Sequence, residues 1–153
     1  MTSQEPQPGY TIEFFRGTDG SEPVRRFIDS LTNDKRDALL AALTKILARH
    51  GLEVCRSEWG KQLGGGLAEF RLRHDEREIL ARDDVPESDL PKPSPEKILL
   101  RVFFHAHGKR VILLLSGYDK GARPSARHQH REIERARAHL KEWRAIQSRQ
   151  RRP

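Results

Sequence analysis

The strongest pattern in the chain runs from Ile98 to Lys120, ILLRVFFHAHGKRVILLLSGYDK, and reads as two apolar strands joined by a turn at Gly108 and Lys109. In the first strand Leu100, Val102 and Phe104 alternate with Leu99, Arg101, Phe103 and His105. One face is therefore apolar throughout, while the other carries a cation. In the second, Val111, Ile112, Leu113, Leu114 and Leu115 form an unbroken apolar run, the mark of a strand covered on both faces. The spacing predicts this hairpin at the centre of a sheet. It delivers Ser116, Gly117, Tyr118, Asp119 and Lys120 at a strand end, where a rigid scaffold can position polar groups.

Ahead of the hairpin, Tyr10, Ile12 and Phe14 alternate with Thr11 and Glu13, which predicts a short first strand closed by the turn chemistry of Gly17 to Gly20. Ser21 as N-cap and Pro23 in the first turn then open a helix with Val24, Phe27, Ile28 and Leu31 on one stripe. After a break at Thr32 and Asn33, the residues Leu39, Leu40, Leu43, Ile46, Leu47 and His50 repeat that spacing until Gly51 stops the helix. His50 reads as a terminal histidine near the helix end, and Cys55 and Trp59 as packing under a connector. In Lys61 to Arg73 a glycine turn leads into a strand with Phe70 and Leu72 on one face and Glu69, Arg71 and Arg73 on the other. If this strand neighbours the hairpin, Arg101 joins those arginines on one sheet face. Desolvating arginines without a partner is costly, so such positions call for an anion.

Between Asp75 and Glu96, Ile79 and Leu80 extend a strand or ribbon, after which Pro86, Pro91, Pro93 and Pro95 predict an irregular, solvated insertion at about 83–97. From Ser125 to Gln150 the pattern is helical again, with Ile133, Ala136, Leu140 and Trp143 on one stripe. Arg127, Arg131, Arg135 and His139 form a column at successive i+4 positions. That column either invites a phosphate or acidic partner or is a solvated face. The expected architecture is one α+β domain over 10–147: a helical hairpin packed on a small, twisted, mostly antiparallel sheet, with a C-terminal helix. Residues 1–9, polar and proline-rich, are expected to be disordered, and 148–153 to form a basic tail.

Composition narrows the function. At 153 residues the chain fits one domain, and Lys plus Arg number 29 against 22 acids, a formal charge of +7. Such a balance favours polyanions, nucleic acid first, or an acidic protein partner. Cys55 is the single cysteine, so an internal disulfide is excluded, and no run of about 18 apolar residues signals a membrane span. The chain reads as cytoplasmic. His105-x-His107 and His128-x-His130 each offer two imidazoles, but no carboxylate or thiol evidently completes a shell, so no metal or other cofactor is expected.

The order of these segments carries a resemblance. TIEFF, VRRFIDSL, a second helix, LGGGLAEFRLR, RVFF, VILLLSGYDKG and REIERARAHLKEW together resemble the phage-derived Gp49-like branch of the HigB toxins, within the RelE/ParE superfamily. The match covers most of Tyr10 to Trp143. Its most specific pieces are the GL-x-E-x-R start at Gly66, Leu67, Glu69 and Arg71, the Arg-x-aromatic strand at Arg101, Lys120 after the last strand, and the E-I-x-x-A helix at Glu132 to Ala136. The chain departs from the family in its longer insertion, in Gly121 where a second lysine is usual, and in Phe103 and Phe104 where a tyrosine is often found.

The resemblance implies a RelE-like fold and a type II toxin that enters the ribosomal A site and cleaves mRNA. A cognate antitoxin, a helix-turn-helix protein encoded beside it, would hold it inactive and account for any oligomer. Cleavage by the substrate's own 2′-hydroxyl needs a base, a proton for the 5′-oxygen and cations for the phosphorane, but no metal. The resemblance casts Arg71, Arg73 and Arg101 as phosphate binders, Lys120 as a further cation and Tyr118 as a stacking or proton-transfer group. The base stays open: His105, on the Arg101 face, is of the type that titrates near neutrality, whereas Lys120 or an arginine needs a large pKa depression. Arg123, Arg127 and Arg131 extend the RNA-binding surface. Two other readings stay open: a non-catalytic gyrase inhibitor like the ParE relatives, and a decayed toxin that retains only antitoxin binding.

Overall fold

The two apolar strands of the hairpin cannot leave either face in water, and both are covered. In the structure, a computed structural model that describes residues 9–151, they lie inside an open five-stranded sheet of order β1-β5-β4-β3-β2. The strands are β1 (Thr11–Phe14), β2 (Gly60–Gly64), β3 (Leu67–Leu72), β4 (Leu100–His107) and β5 (Val111–Asp119). Three of the four pairings are antiparallel, and β1 joins β5 in parallel, with Ile12 beside Ile112. The expected disordered start falls outside the described residues apart from Gly9, as do the last two residues of the RRP terminus.

Period-two alternation sorts the strands onto two cores. On one face Phe70, Leu72, Leu100, Val102, Phe104, Ile112 and Leu114 meet α1 (Pro23–Ser30) and α2 (Asn33–Ala42), which contribute Val24, Ile28, Ala38, Leu39 and Ala42. On the other, Leu67, Phe103, Leu113 and Leu115 meet Phe15 and the Ala136 and Leu140 stripe of α5 (Ala126–Gln150). A bulge separates the halves of β5. Phe104 opposes Leu114 while Phe103 opposes Ser116, so Leu115 is the extra residue and the alternation resets behind it. Tyr118 consequently lies on the α5 side with Leu113 and Leu115.

Local details differ from expectation at four places. Glu22, not Ser21, occupies the N-cap of α1; the Ser21 hydroxyl instead donates to Asp19 Oδ1 at 2.6 Å. A second strand, β2, precedes the glycine turn and pairs with β3. The residues around Ile79 form no ribbon: Asp75 caps α4 (Glu76–Ala81) by accepting the Glu78 N–H at 2.9 Å, and Ile79 is fully buried. The insertion is laced down, with the Ser94 N–H donating to Asp75 Oδ2 at 2.9 Å and Arg77 to the Pro91 carbonyl at 2.9 Å. Its Asp83 pairs with Arg49 of α3 (Ala48–His50) at 2.7 Å, on the helical side of the sheet. After α2 the helix passes through a π-helical turn (Leu43–Leu47) into α3 and stops at Gly51, where φ is +54° and a side chain would collide with the Tyr10 ring. Among the described residues no helix is long and apolar enough to cross a membrane.

Candidate functional site

Arg71 and Arg101 stand directly opposite each other on β3 and β4, a like-charge pair that destabilises a sheet unless an anion lies between. Glu69, two residues before Arg71 and so on the same face, supplies it. The carboxylate is fully buried; its Oε1 accepts from Arg71 Nε–H at 2.8 Å and lies 3.8 Å from Arg101 Nε. Arg101 Nη1 also donates to the Leu100 carbonyl at 3.3 Å. Pairing is nevertheless incomplete: Glu69 Oε2, Arg101 Nε, Ser116 Oγ and the Tyr118 hydroxyl are buried without a hydrogen-bond partner among the described residues.

Two expectations change here. Arg101 is on the expected strand and face, but at 2% exposure it is not presented to solvent as a phosphate-gripping fork. The cause is Glu69, which draws both arginines inward and leaves Arg71, with its side chain 23% exposed, as the one that emerges. Tyr118 is likewise unavailable for stacking on a base. The bulge at Leu115 turns it under α5, where its ring stacks on Phe103 at 6.1 Å and meets His128 edge-on at 5.3 Å. Burial, then the Glu69 charge, pushes its hydroxyl up to about 12, so it stays a neutral phenol.

Next to this buried centre, and in the loop and helix that follow β5, are further cations. Lys120 follows β5 directly and is half-buried; burial, then Arg101, Arg71 and Arg73, holds its ammonium below the usual lysine value, with Glu69 opposing. Arg73 is exposed just past the end of β3. Arg123, in the loop after Lys120, and Arg127 and Arg131, one turn apart on α5, are exposed as well. None of these five cations makes an ion pair among the described residues. The rest of the expected column is engaged: Arg135 reaches Glu132 at 3.3 Å, and His139 packs on the Phe15 ring at 5.0 Å.

His105 shares the face of Arg101 but sits four residues along β4, about 13 Å away at roughly 3.3 Å per residue. Its Nδ1 lies 2.7 Å from the Gly66 carbonyl, which assigns the proton to that nitrogen, and its ring packs against Trp143 at 5.5 Å. Burial, with Arg144 and His107 nearby, lowers its pKa. His105 thus belongs to the glycine-turn end of the sheet, away from Lys120, and is not brought together with Arg101 and Tyr118. Among the described residues no three His, Cys, Asp or Glu side chains converge as a metal site.

No protein-family model matches the chain, and no curated protein matches it in sequence. The site must therefore be read from its own chemistry: a buried carboxylate that fixes two guanidiniums, and further cations, without ion-pair partners among the described residues, able to bind a polyanion. Sequence reasoning placed Glu69 on the right face without a role; its spacing of two from Arg71, facing a second arginine across the ladder, was the available signal. His128 and Glu132, four apart on α5 with Nε2 and Oε1 at 3.4 Å, carried a similar signal and were overlooked as a pair.

Proposed function

We propose that this chain is a RelE-like, HigB-type toxin of a type II toxin–antitoxin system, a metal-independent endoribonuclease that cleaves mRNA on the ribosome in the cytoplasm. The observation that carries the reading is a set of five exposed or half-buried cations without an ion-pair partner among the described residues: Arg73 and Lys120, which act on the buried Glu69–Arg101 centre, and Arg123, Arg127 and Arg131 in the loop and helix that follow. Arg71 and Arg73 hold the scissile phosphate, and Lys120 neutralises charge gained by the phosphorane. Arg101 acts at one remove, fixing Glu69 and through it the Arg71 fork. An acidic segment of a helix-turn-helix antitoxin covers the same cations and blocks them.

The test is to add purified chain to translating ribosomes and map new 5′ ends on the mRNA. The wild type should cut; Lys120→Ala should lose on the order of 10²- to 10³-fold in rate while remaining folded. Intact message in the presence of active translation would sink the cleavage reading. A second reading has one observation in its favour: Arg101 and Tyr118 are buried, which suits a toxin that binds without cleaving, such as a gyrase inhibitor, or a chain that keeps only antitoxin binding. Growth arrest with uncut mRNA would establish the first of these, and harmless expression without antitoxin the second.

A further inference from the structure

The first two turns of α5 hold a histidine–carboxylate pair that the reaction above leaves unused. His128, its side chain 19% exposed, places Nε2 3.4 Å from Oε1 of the buried Glu132. The same i,i+4 spacing recurs two residues later in His130 and Glu134, but that pair is 4.0 Å apart and His130 is 75% exposed, an ordinary solvated contact. The two pairs differ in surroundings. His128 touches the Tyr118 ring at 5.3 Å, and Glu132 is also held by Arg135 at 3.3 Å. Glu132 and Tyr118 belong with the Glu69–Arg101 centre electrically, since all three charges act on the Tyr118 hydroxyl.

We propose that His128 is the general base of the RNA cleavage inferred above, with Glu132 as its positioning residue; the assignment rests on that cleavage reading. A carboxylate beside Nε2 favours the tautomer with its proton there and leaves the Nδ1 lone pair to accept one. Nδ1 takes the 2′-hydroxyl proton, the 2′-oxygen bonds to phosphorus, and the bond from phosphorus to the 5′-oxygen breaks. The products are a 2′,3′-cyclic phosphate and a 5′-hydroxyl, whose proton comes from solvent; the imidazolium returns its own to solvent. The charged and titratable groups around His128 are Glu132 and the neighbouring Arg127 and Arg131 on its own helix and Tyr118 on β5, whose hydroxyl in turn feels Glu69, Arg101 and Arg71.

Single-turnover cleavage of ribosome-bound mRNA, followed from about pH 5.5 to about 9, separates this role from a structural one. The wild-type rate should rise on the acid side and level off as a histidine loses its proton. His128→Ala should lose about 10²- to 10⁴-fold, lose that acid limb, keep its salt-dependent RNA binding and recover activity with added imidazole. His128→Gln, which retains a polar side chain, should lose as much and guards against misfolding. Glu132→Gln should lower the rate at every pH and Glu132→Asp should restore part of it, as expected of a carboxylate that orients the ring, and His130→Ala should change nothing. If the wild type cuts and His128→Ala and His128→Gln cut equally well with the same acid limb, the base assignment is wrong and the cleavage reading stands. If the wild type does not cut, both fall together.

Discussion

The two faces of the sheet bury the same strands and do different things with them. Among the described residues every buried strand side chain toward α1 and α2 is apolar, and the buried acid at that side's margin, Asp75, spends both oxygens on backbone N–H groups. Toward α5 the strands bury Leu67, Phe103, Leu113 and Leu115, but also Glu69, Arg101, Ser116 and Tyr118, with Glu132 added by the helix. A buried ion pair is often no more stabilising than apolar residues of the same volume. The helical face therefore sets stability, and the α5 face holds charges in place at some expense to it.

The comparison can be broken or sharpened by substitution. Glu69→Ala should have the largest effect, about 3–5 kcal/mol in denaturant unfolding, because it strands Arg101 as an uncompensated buried charge. Leu39→Ala, on the helical face, should cost about 2–5 kcal/mol through lost contacts and a cavity, and leave the RNA affinity of the folded protein unchanged. A drop in RNA affinity there would blur the division between faces. Arg73→Ala should shift stability by no more than about 0.5 kcal/mol, yet lower the slope of log affinity against log salt by about one. An unchanged slope would remove Arg73 from the binding surface.

A further small effect lies at the edge of the sheet. Burial pulls the His74 pKa down, but hydrogen bonds with Glu78 and Glu58, each 2.8 Å, outweigh it and raise it above the ordinary 6.5. A group whose folded pKa is raised contributes stability that is complete below its unfolded value and lost as pH rises through the folded one. Wild-type stability should thus fall by less than about 1 kcal/mol between the unfolded value and the region above the raised one. His74→Gln should flatten that slope, as read from unfolding midpoints across the same window.

Much of the scaffold was legible because it depends on local periodicity. The alternation of Leu100, Val102 and Phe104 and the stripes of α1, α2 and α5 need only their own segments to declare a buried face. Features set by pairing or by short signals were not. The parallel partnership of β1 with β5 is long-range, β2 hides in the glycine-rich GKQLG, and α4 is a six-residue helix amid acids and prolines. The site was legible by face and not by depth. Arg71, Arg73 and Arg101 do share a side of the sheet, but whether a guanidinium reaches water depends on Glu69, and the fate of Tyr118 on one bulged residue, Leu115. His105 shows the same limit: it lies on the correct face and too far along the strand.

The most direct test of the division between faces is the rate of the proposed cleavage of ribosome-bound mRNA, compared between the wild type and the double variant Glu69→Leu, Arg101→Met. Replacing the buried pair by apolar residues should leave the fold intact and its stability unchanged or about 1–4 kcal/mol higher. Arg71 and Lys120 then lose their fixed electrostatic frame, and the rate should fall at least about 10²-fold. A folded double variant that cuts mRNA at the wild-type rate would contradict the account, because the buried charges on the α5 face would then serve neither stability nor cleavage.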